Sequence, residues 1–132
     1  KKNGRNPAMG KAIEITNVMK FALEDRRMPY LLLHELSHAY HDRILGFDQK
    51  EITTAFKKAA ASGSYDNVKR FTGNKIITDK AYAMSNHKEY FAELTEAYFG
   101  KNDFFPFTNA ELKVHDPAGF AAIEKAWGVS KK

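Results

Sequence analysis

Apolar residues recur three and four positions apart through most of the chain, and that spacing predicts helices. The clearest segment is residues 30–45, where Leu32, Leu36, Ala39 and Tyr40 fall at helical intervals. Pro29 suits its first turn and Gly46 its end. Its start, YLLL, is apolar enough to predict a central, buried helix. Residues 86–99 form a second clear helix that stops at Gly100, and residues 49–62 a third that stops at Gly63. A short helix is expected over residues 109–115. Asp116 as N-cap and Pro117 in the first helical position then open another, which runs to Trp127 and stops at Gly128. Residues 18–27, with Met19, Ala22 and Leu23 on one face, read as a short helix before Pro29.

Elsewhere the period changes from helical to alternating. Residues 12–17 (AIEITN) alternate apolar and polar and predict a short, half-buried edge strand. Residues 68–71 and 75–78 flank Gly73 and predict a hairpin. The phenylalanine-rich turn at residues 103–108 (DFFPFT) reads as a core plug rather than a ligand cage. The expectation is one α+β domain over residues 1–132, mostly helical, with a small edge-strand sheet and two buried helices at its centre.

Composition narrows the function classes. At 132 residues and 43% hydrophobic, one domain can bury a core without covalent staples. The absence of cysteine excludes a disulfide scaffold and any thiolate-ligated zinc site. No apolar run reaches 18 residues, so no membrane span is expected. The net charge of +5 suggests nucleic acid at first sight. However, Lys1, Lys2, Lys131 and Lys132 supply four of those charges, which leaves 5 − 4 = +1 for the body and no internal basic tract. No nucleic-acid partner is expected. A chain that opens on Lys1 reads as a processed or excised piece, with any secretion signal upstream.

The chemistry is concentrated in the apolar helix, which contains His34-Glu35-Leu36-Ser37-His38, an H-E-x-x-H. Residues four apart share a helical face, so two imidazoles at this spacing can converge on one zinc ion. Glu35 is placed to act as general base on a metal-bound water. With five histidines and nine glutamates in the chain, chance produces this pattern roughly once in eighty. The plain alternative is a helix with surface histidines. It is weakened by the apolar setting, because burying three ionisable groups without a metal or partner is costly.

A catalytic zinc takes three protein ligands and keeps one open position. The metzincin pattern would require glycine at position 41 and histidine at position 44. The chain has His41 and Ile44, so that class is excluded. His41 shares the face of His34 and His38 but lies two turns, on the order of 10 Å, from His34. It reads as a supporting or packing residue. The second clear helix carries Glu89, Glu93 and Glu96 at i, i+4 and i+7, on one stripe. Asn86 and Glu89 also have the spacing of an N-cap and its N3 carboxylate. From chemistry alone, Glu89 and Glu93 fit equally as third ligand.

The stretch from Tyr82 to Glu93 (YAMSNHKEYFAE) resembles the gluzincin zinc metallopeptidases of the anthrax lethal factor type. That family carries a tyrosine, an asparagine four residues on, and then a Glu-aromatic-Phe-Ala-Glu run. HELSHAYH and EYFAELTEAYFG are also similar to bacterial members of the same clan. The similarity spans about residues 12–99, and it matches poorly between Tyr40 and Lys80. It implies a zincin-like domain in which Glu89 is the third ligand and Glu93 orients a ligand histidine. It also implies that Tyr82 hydrogen-bonds the oxyanion, although packing is the plain alternative for one of six tyrosines. An extended substrate would pair along residues 12–17, through Ile13, Glu14 and Ile15.

The function expected is a zinc-dependent endopeptidase acting on a peptide or protein substrate. In this reading Zn²⁺ is held by His34, His38 and Glu89, and the catalytic groups are Glu35 and Tyr82. The alternative is a zinc-bearing peptide- or protein-binding module with little turnover.

Overall fold

The computed structural model describes residues 28–129 together with Lys20, Ala22, Glu24 and Arg26. Those four are helical, in the segment expected to form the first short helix. The expected edge strand, with Ile13, Glu14 and Ile15, lies outside the described residues.

Among the described residues, five α-helices carry most of the chain: α1 (Leu31–Tyr40), α2 (Lys50–Ser62), α3 (His87–Phe99), α4 (Asn109–His115) and α5 (Pro117–Trp127). Strands β1 (Val68–Phe71) and β2 (Ile76–Asp79) form an antiparallel hairpin, with Val68 opposite Asp79 and Phe71 opposite Ile76. The arrangement is mostly helical α+β. The second strand starts one residue later than the pattern suggests, because Lys75 closes the turn by accepting from the Thr72 amide at 2.9 Å.

Local chemistry sets the helix starts. The Gln49 side chain accepts from the Ile52 amide at 2.8 Å to open α2. Thr108 and Glu111 form a reciprocal capping box that opens α4. Asp116 accepts from the Gly119 amide at 2.8 Å to open α5, with Pro117 in the first turn as the sequence suggests. Asp116 also binds two buried hydroxyls, accepting from Tyr65 at 3.0 Å and from Tyr90 at 2.5 Å. One carboxylate therefore ties α5 to α3 and to the loop after α2.

Helix α3 is the axis of the core. Every residue from 90 to 97 is buried, so this helix is covered on all sides. Helix α1 packs against it more extensively than any other pair of elements does. The two run antiparallel: Tyr30, just ahead of α1, lies against Gly100, just past α3, where an added Cβ would collide with the tyrosine ring. At the other end Trp127 locks both helices. Its ring stacks on Tyr40 at 4.2 Å and on Phe91 at 5.8 Å between centroids, and its indole N–H donates to Thr95 Oγ1 at 3.1 Å. Tyr40 donates in turn to the Ala126 carbonyl at 3.0 Å. The phenylalanine-rich turn does plug the core, through Phe104, which is 4% exposed.

Two expectations about the first clear helix are corrected. It is not α-helical throughout, since His41–Leu45 forms a π-helical turn before Gly46. Nor do its leucines make the core face, because Leu32 is 44% and Leu36 47% exposed. The buried residues are His34, Ser37 and His41, at i, i+3 and i+7. The face turned to α3 carries the imidazoles, which sends the leucines to the opposite side.

Candidate metal centre

The α1–α3 packing brings three side chains to one point. His34 Nε2 lies 3.1 Å from His38 Nε2 and 3.1 Å from Glu89 Oε2, and His38 Nε2 lies 3.2 Å from the same oxygen. These atoms form a nearly equilateral triangle. A tetrahedral metal with bonds of about 2.0 Å separates its donors by about 3.3 Å, so the triangle has the size of one face of such a site. His34 is buried, and His38 and Glu89 are half-buried, which leaves one side of the triangle open.

The protonation pattern also fits a cation. His34 Nδ1 lies 2.6 Å from Glu96 Oε1, and the carboxylate fixes it as the N–H donor. His34 Nε2 is then a lone pair directed at an acceptor-only carboxylate oxygen. Two acceptors 3.1 Å apart require something positive between them. Burial by itself would lower the His34 pKa. The Glu96 hydrogen bond and the charges of Glu96, Glu93 and Glu89 outweigh burial and raise it to about 9. In His38, burial and the neighbouring His34 charge push the pKa down. The site therefore favours one positive charge at the triangle, supplied by a proton or by a metal ion.

Asn86 caps α3 as its spacing suggests, accepting from the Lys88 and Glu89 amides at 2.9 and 3.0 Å. The Glu89 carboxylate turns instead to the two histidines, so only half of a capping box forms. Sequence reasoning placed Glu96 on the acidic stripe but gave it no role. This carboxylate makes the hydrogen bond to His34 Nδ1, whereas Glu93, expected in that role, stands at 3.7 Å. Both carboxylates are 1% exposed. Burial, with the charges of Glu96 and Asp103, pushes Glu93 up to about 8, and burial also raises Glu96. The signal for Glu96 was present in the sequence, since it continues the Glu89 and Glu93 stripe one turn further.

Glu35 and Tyr82 lie within electrostatic reach of the centre. Glu35 is exposed, and its charge acts on both His38 and Tyr82. Tyr82 begins a short 3-10 turn (Tyr82–Met84) and is 49% exposed. The Glu89 charge, ahead of burial and the charges of Glu93 and Glu35, raises its pKa, so its hydroxyl remains a donor at neutral pH. His41 does not join the centre. It is fully buried against Phe47, His87 and Phe91, and among the described residues neither ring nitrogen has a hydrogen-bond partner.

No protein-family model, curated protein or solved structure matches the chain.

Proposed function

We propose that the protein is a zinc-dependent metallopeptidase, with His34, His38 and Glu89 as ligands. The observation that carries the reading is the triangle of His34 Nε2, His38 Nε2 and Glu89 Oε2 with edges of 3.1–3.2 Å. A two-histidine, one-carboxylate donor set with an open side suits zinc in a hydrolytic role. Zinc bound there would polarise the scissile carbonyl and lower the pKa of a bound water toward neutrality.

The chain's own residues supply the rest. Glu35, exposed beside His34, takes the proton from the attacking water and delivers it to the leaving amine nitrogen. Tyr82, kept protonated by the carboxylates near it, donates to the carbonyl oxygen as negative charge develops there. Glu96 engages His34 Nδ1 at 2.6 Å, so Nε2 is the ring nitrogen left to face the metal. The substrate would extend along residues 12–17.

Metal analysis of the purified chain and cleavage of a diverse peptide library test the reading. Glu35→Gln should keep one zinc per chain and lose hydrolysis. Glu89→Ala should lower zinc content. A fully active Glu35→Gln variant would overturn the mechanism. Stoichiometric zinc without cleavage of any library peptide would favour a binding module instead.

A further inference from the structure

A groove of about 550 Å³ runs between α2 and α5, two helices that contribute nothing to the metal centre. Its floor is alanine. Ala55 and Ala122 are buried at the base, Ala118 is half-buried and Ala121 is exposed. No side chain on this floor extends beyond Cβ, so a third backbone can approach both helices closely. The lining residues fall at positions 118, 121, 122 and 125 on α5 and at 50, 51, 54, 55 and 58 on α2, which are helical intervals. Two helices that present adjacent stripes of this kind form a receiving surface for a third helix, the helix-in-groove mode.

The edges of the groove are charged. Lys50, Lys58 and Lys125 stand against Glu51 alone, an excess of two positive charges. Glu51 pairs with Lys125 across the two helices, and its other oxygen accepts from Gln49 Nε2 at 2.7 Å. Lys50 and Lys58 are exposed, and among the described residues neither has an ion-pair partner. They are eight residues apart on α2, about 12 Å along its axis. Carboxylates eight residues apart on a second helix have the same spacing.

Charge and shape together select the occupant. Both ends of this chain are basic, with Lys1, Lys2, Arg5 and Lys11 at one and Lys131 and Lys132 at the other, so they repel the groove. A second copy docked groove to groove sets the same lysines against each other. Nucleic acid finds two unpaired cations and no arginine or aromatic ring in the lining. A membrane surface finds no large apolar side chain to bury. We propose that this groove docks an amphipathic helix of a partner protein, with small residues against the alanines and acidic residues eight positions apart against Lys50 and Lys58. The proposal does not rest on the metallopeptidase reading, because no residue of the groove belongs to that site.

The test is an NMR titration of the intact chain with two helical peptides of about 16 residues, long enough to span the groove. Both carry alanine on the face turned to the protein. One has glutamates eight positions apart at the edge of that face, and the other has lysines there. The glutamate peptide should bind about tenfold more tightly at low salt, since two exposed attractions replace two repulsions. It should shift the amide signals of Thr54, Lys58, Ala118 and Ala121. Lys50→Glu combined with Lys58→Glu should reverse the preference. Ala121→Trp, which fills the groove from an exposed position, should remove binding of the glutamate peptide. Circular dichroism of both variants should show the helix content of the unaltered protein. Equal affinity for the two peptides, no binding of either, signal changes centred elsewhere, or undiminished binding by Ala121→Trp would overturn the proposal. Binding of phosphatidylserine vesicles or duplex RNA with neither peptide bound would overturn it as well.

Discussion

Replacing Glu96 by glutamine tests how the buried carboxylates divide their work behind the metal centre. The side chain keeps its shape but loses its charge. In the native arrangement Glu96 Oε1 holds the His34 Nδ1 proton at 2.6 Å, and both groups are nearly sealed from solvent. A charge-assisted bond of this kind is about twice as strong as a neutral one. An amide can also present its N–H₂ to Nδ1, which moves the imidazole proton to Nε2 and blocks the ligand atom. Loss of such a partner typically weakens metal binding by about 10- to 100-fold, equivalent to about 1.4–2.7 kcal/mol. Glu93→Gln should behave differently. Glu93 stands 3.7 Å from Nδ1, and burial with its acidic neighbours holds it up to about 8, so a neutral amide imitates its form at pH 7. Its zinc affinity should change by less than about threefold. Competition against a chelator of known zinc affinity measures both variants, and imidazole ¹⁵N shifts report the His34 tautomer. A Glu93→Gln variant that loses zinc while Glu96→Gln retains it would refute the assignment.

Two further outcomes follow from the packing. Gly119→Ala should destabilise the fold by about 1–3 kcal/mol, although alanine is favoured in helices by about 1 kcal/mol. The new Cβ would stand 2.6 Å from Asp116 Oδ2 and closer still to Leu94 and the Tyr90 hydroxyl. A urea midpoint equal to or above that of the unaltered protein would contradict this. His41 should make the fold acid-sensitive, because burial, together with the positive charges of His87, His38 and Lys88, pushes it down to about 4. The unfolded chain takes up this proton near pH 6.5 and the folded chain only near pH 4, so stability falls as pH drops through that window. The slope is about 1.4 kcal/mol per pH unit from this residue. In metal-free protein, His41→Leu should flatten the fall in stability between pH 6.5 and 4.5, measured by urea unfolding. Parallel curves for the two proteins would exclude His41 as the cause.

Helix ends were legible because they depend on single residues. Asn86, Asp116, Pro117 and the glycines after α2, α3 and α5 act through their own backbone and side-chain chemistry, and each takes the place its type dictates. The hairpin was legible to within one residue for the same reason. The meeting of His34 and His38 with Glu89 was only half legible. Helical spacing brings the two histidines together, but the choice between Glu89 and Glu93 depends on how α1 is set along α3. That offset is fixed by Tyr30 against Gly100 at one end and Trp127 between Tyr40 and Phe91 at the other, contacts between residues 36 to 87 apart in sequence. The same offset brings Glu96 rather than Glu93 to His34 Nδ1, a difference of one helical turn that no local pattern encodes.

The misread face of α1 has a single physical origin. Periodicity assigns the core to whichever stripe is most apolar, and on α1 that stripe includes Leu32 and Leu36. The rule assumes that burying a charge costs more than exposing a leucine. At this helix the buried stripe is His34, Ser37 and His41, with His34 facing Glu93 and Glu96, and Leu32 and Leu36 are nearly half exposed. Such a core is tolerable only if its charges answer one another. Glu96 answers His34, and burial holds Glu93 toward its neutral form. Glu89 is left facing two imidazole nitrogens, with one positive charge still wanted among them. A helix that turns its leucines outward to bury this group has the form expected if the centre was selected to hold a cation. The reversal of the hydrophobic pattern is thus an argument for the site that is independent of the H-E-x-x-H spacing.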